Sequence, residues 1–277
     1  MSIEKARIRQ QIRRGWERTA GQYAMDRPQV FQRFAARLVA LLDPSPGQVI
    51  LDVGAGPGLA TLHAAERVGP HGHVVGIDFA RPMLMQLRTT YAATATASQG
   101  RVSAVQMDAE RLGVPAARFD AVLCAFALFQ FVDMGRALAE MRRALKPGGR
   151  VALSNWGPGF FTPVARMQRD LFLEYGLRPL LTHPIAFKPE QMAGLLADAG
   201  FRDITLIQEH VELWFATPQE VWEWNLAMGP LPIMLEMQLS VAQRQELARR
   251  YRDMLAPLVT PQGIACTFHP LYAVGCR

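Results

Sequence analysis

The chain has 277 residues, half of them apolar, and its 30 Lys/Arg against 24 Asp/Glu leave a formal charge of +6. That length suits one large α/β domain with an added helical cap, not two independent domains, and no apolar run reaches the roughly 18–20 residues that span a bilayer. The charged opening (Glu4, Lys5, Arg7, Arg9) is unlike a signal peptide, and Cys124, Cys266 and Cys276 lack metal-ligand spacing, so a reduced, cytoplasmic, metal-free protein is expected.

Ile8, Ile12, Trp16, Ala20 and Tyr23 recur at helical spacing and predict a helix over 3–23. A second helix is expected over 29–42, stopped by Pro44 and Pro46. Residues 1–37 hold nine Lys/Arg and three Asp/Glu, and so carry the whole net charge. A basic arm can serve nucleic acid or an anionic membrane, or it can be the solvated face of an amphipathic helix.

Val49–Val53 reads as a buried strand, followed by Gly54-Ala55-Gly56-Pro57-Gly58 and a helix from Leu59 to Val68. Further strands are expected at 73–77, 102–106, 119–124 and 150–154, with helices at 82–93 and 134–145 between them. This alternation predicts a doubly wound, mostly parallel sheet whose ligand lies at the carboxyl ends of the strands. Asp52–Gly58, Asp78, Asp108 and Cys124–Phe126 all fall at those ends. Beyond residue 154 the pattern loosens. A helix is expected at 189–199, a sixth strand at 204–213, a helical stretch over 217–259 and a last strand over 265–275, bent at Pro270. The expected division is a helical lid (1–44), a core (45–158), a cap segment (159–187), more core (188–213), a helical substrate cap (214–262) and a final core strand (263–277).

The glycine loop discriminates between cofactors. A dinucleotide fingerprint spaces its glycines G-x-G-x-x-G, whereas here the third glycine, Gly58, comes one place early. Asp52, just before the loop, would repel a pyrophosphate but suits a ligand carrying an ammonium and a sulfonium. S-adenosylmethionine (SAM) carries both and no phosphate. Asp78 is placed to accept from the ribose hydroxyls and Phe79 and Met83 to cover adenine. Asp108 and the Ala109 amide are placed to meet the adenine edge.

VILDVGAGPG (49–58), GIDFARPML (76–84), QMDAERL (106–112), FDAVLCAFALFQFVD (119–133) and LKPGGRVAL (145–153) resemble the successive motifs of class I SAM-dependent methyltransferases, closest to the ubiquinone/menaquinone-biosynthesis type. The resemblance implies a Rossmann-like, seven-stranded α/β fold with N-terminal helices and a helical cap. It implies that Asp52, Gly54, Ala55, Gly56 and Gly58 meet the methionine end of SAM, and that Cys124, Ala125 and Phe126 pass beneath the sulfonium. Tyr23 matches an aromatic that closes over the cofactor. Relatives often carry a His pair where this chain has Phe129-Gln130, so a His-based mechanism does not transfer.

Methyl transfer needs a base only when the nucleophile arrives protonated. His183, in the Gly/Pro-rich stretch after the fifth strand, is the leading candidate, followed by His210, His269 and Glu223. Between Arg202 and Arg244 there are six acids, no Lys or Arg, and several aromatics and methionines. Such a cap is a poor surface for phosphates and suits a lipophilic neutral or cationic molecule. Phe129, Phe131, Trp156 and Trp222 are the expected pocket walls. The expected activity is O-, N- or C-methylation of an apolar or aromatic small molecule by a monomer or homodimer. The alternatives are an RNA or DNA methyltransferase using the basic helix, or a SAM-binding protein, such as a cyclase, that does not methylate.

Overall fold

The computed structural model describes residues 3–25, 28–181 and 183–277, without the side chains of residues 22–25, 28 and 29. Two helices, α1 (Ile3–Met25) and α2 (Pro28–Leu42), precede an alternating run. It comprises β1 (Val49–Val53), α3 (Leu59–Val68), β2 (His73–Asp78), α4 (Arg81–Thr94), β3 (Arg101–Gln106), β4 (Phe119–Ala125), α5 (Met134–Ala144) and β5 (Leu145–Trp156). Then follow α6 (Val164–Glu174), α7 (Pro189–Asp198), β6 (Arg202–Gln208), β7 (Val211–Phe215), α8 (Pro218–Ala227), α9 (Leu231–Gln238), α10 (Val241–Leu255), β8 (Ile264–Phe268) and β9 (Pro270–Cys276).

The main sheet has seven strands in the order β3-β2-β1-β4-β5-β9-β6, all parallel except β9. Alternate residues of each strand serve opposite layers, as the two-residue period requires. Ile50 and Leu123 pack with Leu38, Val39, Ala64 and Val68 of α2 and α3. Leu51 and Val122 pack with Leu138 and Met141 of α5 and Met192 and Leu196 of α7. The order reverses between β1 and β4, which opens a crevice at their carboxyl ends.

Three segments differ from expectation. The sixth strand ends at Gln208, and Val211–Phe215 forms a separate strand pairing with β8 in a two-stranded sheet. The last strand is likewise two, β8 and β9, with His269 between them. Pro270 has no N–H to donate, so it opens β9 and does not continue β8. His210 therefore lies in a turn, not within a strand, and its ring meets His269 edge-on at 5.0 Å. The stretch 217–259 is three helices, broken at Gly229-Pro230 and at Leu239-Ser240, where Ser240 caps α10 by accepting from the Gln243 amide.

The cap is bound internally around Tyr251, which is fully buried. Its hydroxyl donates to Gln168 Oε1 at 3.0 Å and accepts from Asn225 Nδ2 at 2.5 Å, which ties α10 to α6 and α8. Helix α1 lies between core and cap, touching α4, α8 and α9. Gly15 permits this. A Cβ there would sit 2.9 Å from the Pro230 Cα, so the glycine lets α1 approach the cap backbone closely. No helix among the described residues is long and apolar enough to cross a membrane.

Candidate active site

A cavity of about 1010 Å³, counting space open to solvent, lies at the carboxyl ends of β1–β4 under α1. Sheet register assembles its floor. Asp52 pairs with Gly76 on β2 and Leu123 on β4, and Asp78 pairs with Gln106 on β3. The loops after these strands therefore emerge side by side.

The first loop turns sharply because Gly54 (φ 72°) and Gly56 (φ 55°) are left-handed. The amides of Gly54 and Ala55 both donate to the Ile77 carbonyl, each at 2.9 Å, which pins the loop to β2. A Cβ on Gly54 would collide with Ala127, so this glycine lets the β4 loop close against the β1 loop. Gly56 has no atom within 4 Å of such a Cβ and opens onto the cavity.

Asp78 lines the cavity, and its carboxylate accepts from the Gly56 amide at 3.0 Å and the Ala80 amide at 2.8 Å. Burial raises its pKa to about 6, against the lowering effect of those amides. Asp52 is fully buried behind the loop, outside the cavity lining. Its Oδ2 accepts from the Thr61 hydroxyl at 2.6 Å, and its Oδ1 has no partner. Burial, with the charge of Asp78 adding to it, raises Asp52 to about 7. A buried carboxylate oxygen without a donor is a costly arrangement that calls for a compensating partner.

Phe79, Met83, Met107, Asp108 and Ala109 line the far end of the cavity. Asp108 Oδ1 accepts from the Glu110 amide at 2.9 Å, and Oδ2 lies 3.4 Å from Arg9 Nε. Glu110 is 4% exposed and takes donors from three directions. One oxygen accepts from the Val132 and Asp133 amides at 2.9 and 3.1 Å, and the other is ion-paired with Arg9. Arg9 thus clamps α1 onto the loop after β3. The sequence reading omitted Arg9, Trp16, Met107, Glu110 and Gln130, all of which line the cavity. For two of them a signal existed: Arg9 and Trp16 share a face with Ile12 at helical spacing.

Among the expected site residues, Gly54, Ala55, Gly56, Asp78, Phe79, Met83, Asp108, Ala109, Ala125, Phe126 and Phe131 come together around the cavity. Others stand apart. Gly58, which caps α3, would place a Cβ in Leu87, so its role is packing against α4. The Cys124 thiol is wholly buried in the sheet core, and burial raises its pKa far above the usual thiol value. Trp156 is enclosed between Phe126 and Phe160, at ring distances of 4.3 and 4.5 Å. Phe129 is buried, and Trp222 packs on Tyr251 at 4.8 Å within the cap. The side chain of Tyr23 lies outside the described residues. His183 is not in the lining; its Nε2 is 2.9 Å from the Phe129 carbonyl oxygen. His210 and His269 face each other elsewhere, and exposed Glu223 accepts from Gln219.

Residues 50–149 match the family described as methyltransferase domain. The chain is 32% identical over 260 residues to nocamycin O-methyltransferase of Saccharothrix syringae, covering 84% of this chain and 88% of that one. The chain belongs to the SAM-dependent methyltransferases. The ubiquinone/menaquinone biosynthesis C-methyltransferase UbiE of Geobacter sulfurreducens is 31% identical to this methyltransferase over 191 residues, 63% of this chain and 72% of the relative. The crystal structure of BH2331 from Bacillus halodurans shares the fold, with a TM-score of 0.61 at 20% identity, covering 87% of this methyltransferase and 97% of that chain. The cofactor is SAM, and the cavity suits it. The open face of Gly56 leaves room for close backbone approach by a ligand.

Proposed function

We propose that this methyltransferase acts on an oxygen, nitrogen or carbon atom of an apolar or aromatic small molecule in the cytoplasm. The observation that carries the reading is the apolar part of the cavity lining, which includes Ile12, Trp16, Phe31, Phe126 and Phe131. Such a wall gains free energy by covering a lipophilic acceptor and offers nothing to a phosphate backbone.

In this reading Phe79 and Met83 cover adenine, Asp108 and the Ala109 amide meet its edge, and Asp78 takes the ribose. Gly54–Gly56 hold the methionine arm, whose ammonium draws on the buried Asp52 carboxylate, and Ala125 and Phe126 lie beneath the sulfonium. SAM supplies a methyl group already activated by its positive sulfur. The protein's own work is to desolvate the acceptor, aim it and keep water out. Helix α1 covers the cavity with Arg9, Ile12 and Trp16, and the cap meets the helix at Gly229, beside the Trp16 ring.

The test is an acceptor screen with purified protein and SAM, following release of S-adenosylhomocysteine (SAH). Quinols, phenols, aromatic carboxylic acids and aromatic amines are set against RNA and small hydrophilic amines. Turnover of an aromatic small molecule is expected; turnover confined to RNA or to hydrophilic amines would overturn the reading.

A further inference from the structure

Six cavity-lining side chains can hydrogen-bond: Arg9, Trp16, Asp78, Asp108, Glu110 and Gln130. Four are committed at the β2–β3 end. Arg9, Asp108 and Glu110 bind one another, and Asp78 holds the Gly56 and Ala80 amides. Gln130 stands apart from them. It ends the short 3-10 turn Leu128–Gln130, whose first two residues are buried and whose Phe129 carbonyl is held by His183. This anchoring leaves Gln130 as the residue of the turn that reaches the cavity. No described residue hydrogen-bonds its side-chain amide.

Three parts of the fold converge at this point. A Cβ built on Gly229, in the cap between α8 and α9, would lie 3.6 Å from the Trp16 ring and 3.8 Å from the Gln130 amide nitrogen. Lid and core therefore both approach the cap at Gly229, with the Gln130 amide among them. Among the described residues the cavity is lined by no His, Lys, Tyr or Cys, and its carboxylates are engaged: Asp78 by the Gly56 and Ala80 amides, Asp108 and Glu110 by amides and Arg9.

We infer that Gln130 is the acceptor-orienting residue, and that the acceptor is an oxygen acid that enters already ionised: a carboxylate, an acidic phenol or the enolate of a 1,3-dicarbonyl. The inference rests on the functional reading above and narrows its acceptor class. The amide N–H donates to the anionic oxygen and aims a lone pair at the methyl carbon. That lone pair forms the O–CH3 bond as the S–CH3 bond breaks and its electrons stay on sulfur. An anion and a sulfonium become a neutral ester or ether and a neutral thioether, so no proton moves and no base is required.

The experiment uses the SAH-loaded protein, which removes the sulfonium charge and leaves only the protein's groups to recognise the anion. 4-Nitrophenol is titrated in, its phenolate absorbance is followed, and neutral 4-nitroaniline serves as the shape-matched comparison. The wild type is expected to bind the phenolate more tightly than the aniline and to lower the probe's apparent pKa. Gln130→Leu should weaken phenolate binding about tenfold to a hundredfold, the loss of one hydrogen bond to a charged group. Its SAH affinity, read by calorimetry, should not change, which also shows that the variant folds. Equal phenolate affinity in Gln130→Leu, or a wild type that does not prefer phenolate over aniline, overturns the inference and leaves the cofactor site standing. Failure of the wild type to bind SAH would remove the cofactor reading and this inference with it.

Discussion

Asp52 and Asp78 lie on neighbouring strands with their carboxyls raised to about 7 and about 6, chiefly by burial. A carboxyl whose folded pKa exceeds its unfolded value binds more protons when folded. The ligand-free protein therefore loses stability from these two groups as pH rises from about 4 through about 7. A bound ammonium reverses the preference, because it favours the ionised form. SAH affinity measured by calorimetry should accordingly climb between about pH 5 and pH 8, and Asp52→Asn should flatten that climb. A wild-type profile already flat across this range would contradict the placement of the ammonium beside Asp52. Asp78→Ala removes a group proposed to accept from both ribose hydroxyls, and should weaken SAM binding by about 1–3 kcal/mol. His183 Nε2 lies 2.9 Å from the Phe129 carbonyl oxygen, and we propose that it fixes the turn that carries Gln130. His183→Ala should lower kcat without altering SAM affinity or the shape of the pH–rate profile; a profile that loses a limb would restore it as a base.

At the scale of elements, α1 is the piece whose role its own sequence conceals. Its basic residues read as a possible nucleic-acid arm, yet three of them pair with acids outside the helix, while Arg7 and Arg14 are exposed. Lys5 pairs with Asp133 at 3.2 Å, Arg9 with Asp108 and Glu110, and Arg18 with Glu236 of α9. The surface pairs contribute little each, whereas Glu110 is buried and loses in Arg9→Met the one cationic partner its carboxylate has among the described residues. That substitution should cost about 1–3 kcal/mol of stability and speed SAH release, measured by thermal melts and stopped flow. Gly15→Ala tests the seam between α1 and the cap. A helical glycine replaced by alanine ordinarily gains about 1 kcal/mol, but here the new Cβ meets the Pro230 backbone at 2.9 Å. The expected sign is therefore destabilising, and a raised melting temperature would show that α1 does not sit tightly on α9.

Across the whole molecule, the basic N-terminal region and the acidic cap are complementary. Arg18 meets Glu236, and Arg37 of α2 meets Glu209, so two segments far apart in sequence neutralise each other in the fold. An RNA gel shift at low salt should consequently show no binding; a shift that weakens with added salt would mean the cationic face remains available. The aromatics Phe31, Phe34, Phe126, Trp156, Phe160 and Phe268 form one continuous cluster from α2 through the sheet to the cap, of which Phe31 and Phe126 reach the cavity.

The sequence by itself determined the parallel core, the glycine loop and the acids at three successive strand ends, because these depend on local periodicity and turn chemistry. Gly54 and Gly56 must be glycine for the backbone they adopt, and Asp78 and Asp108 follow strands that read plainly from apolar runs. Only the tertiary structure decided which polar groups share a space. Arg9 and Glu110 are 101 residues apart in the chain, and Gln130 and Trp16, from two other parts of it, both approach Gly229 of the cap. Trp156, at a strand end, and Trp222, within α8, show the limit from the other side: an aromatic has the same sequence signal whether it lines a cavity or fills a core. Burial on every side, a property of packing between distant segments, put both into the core.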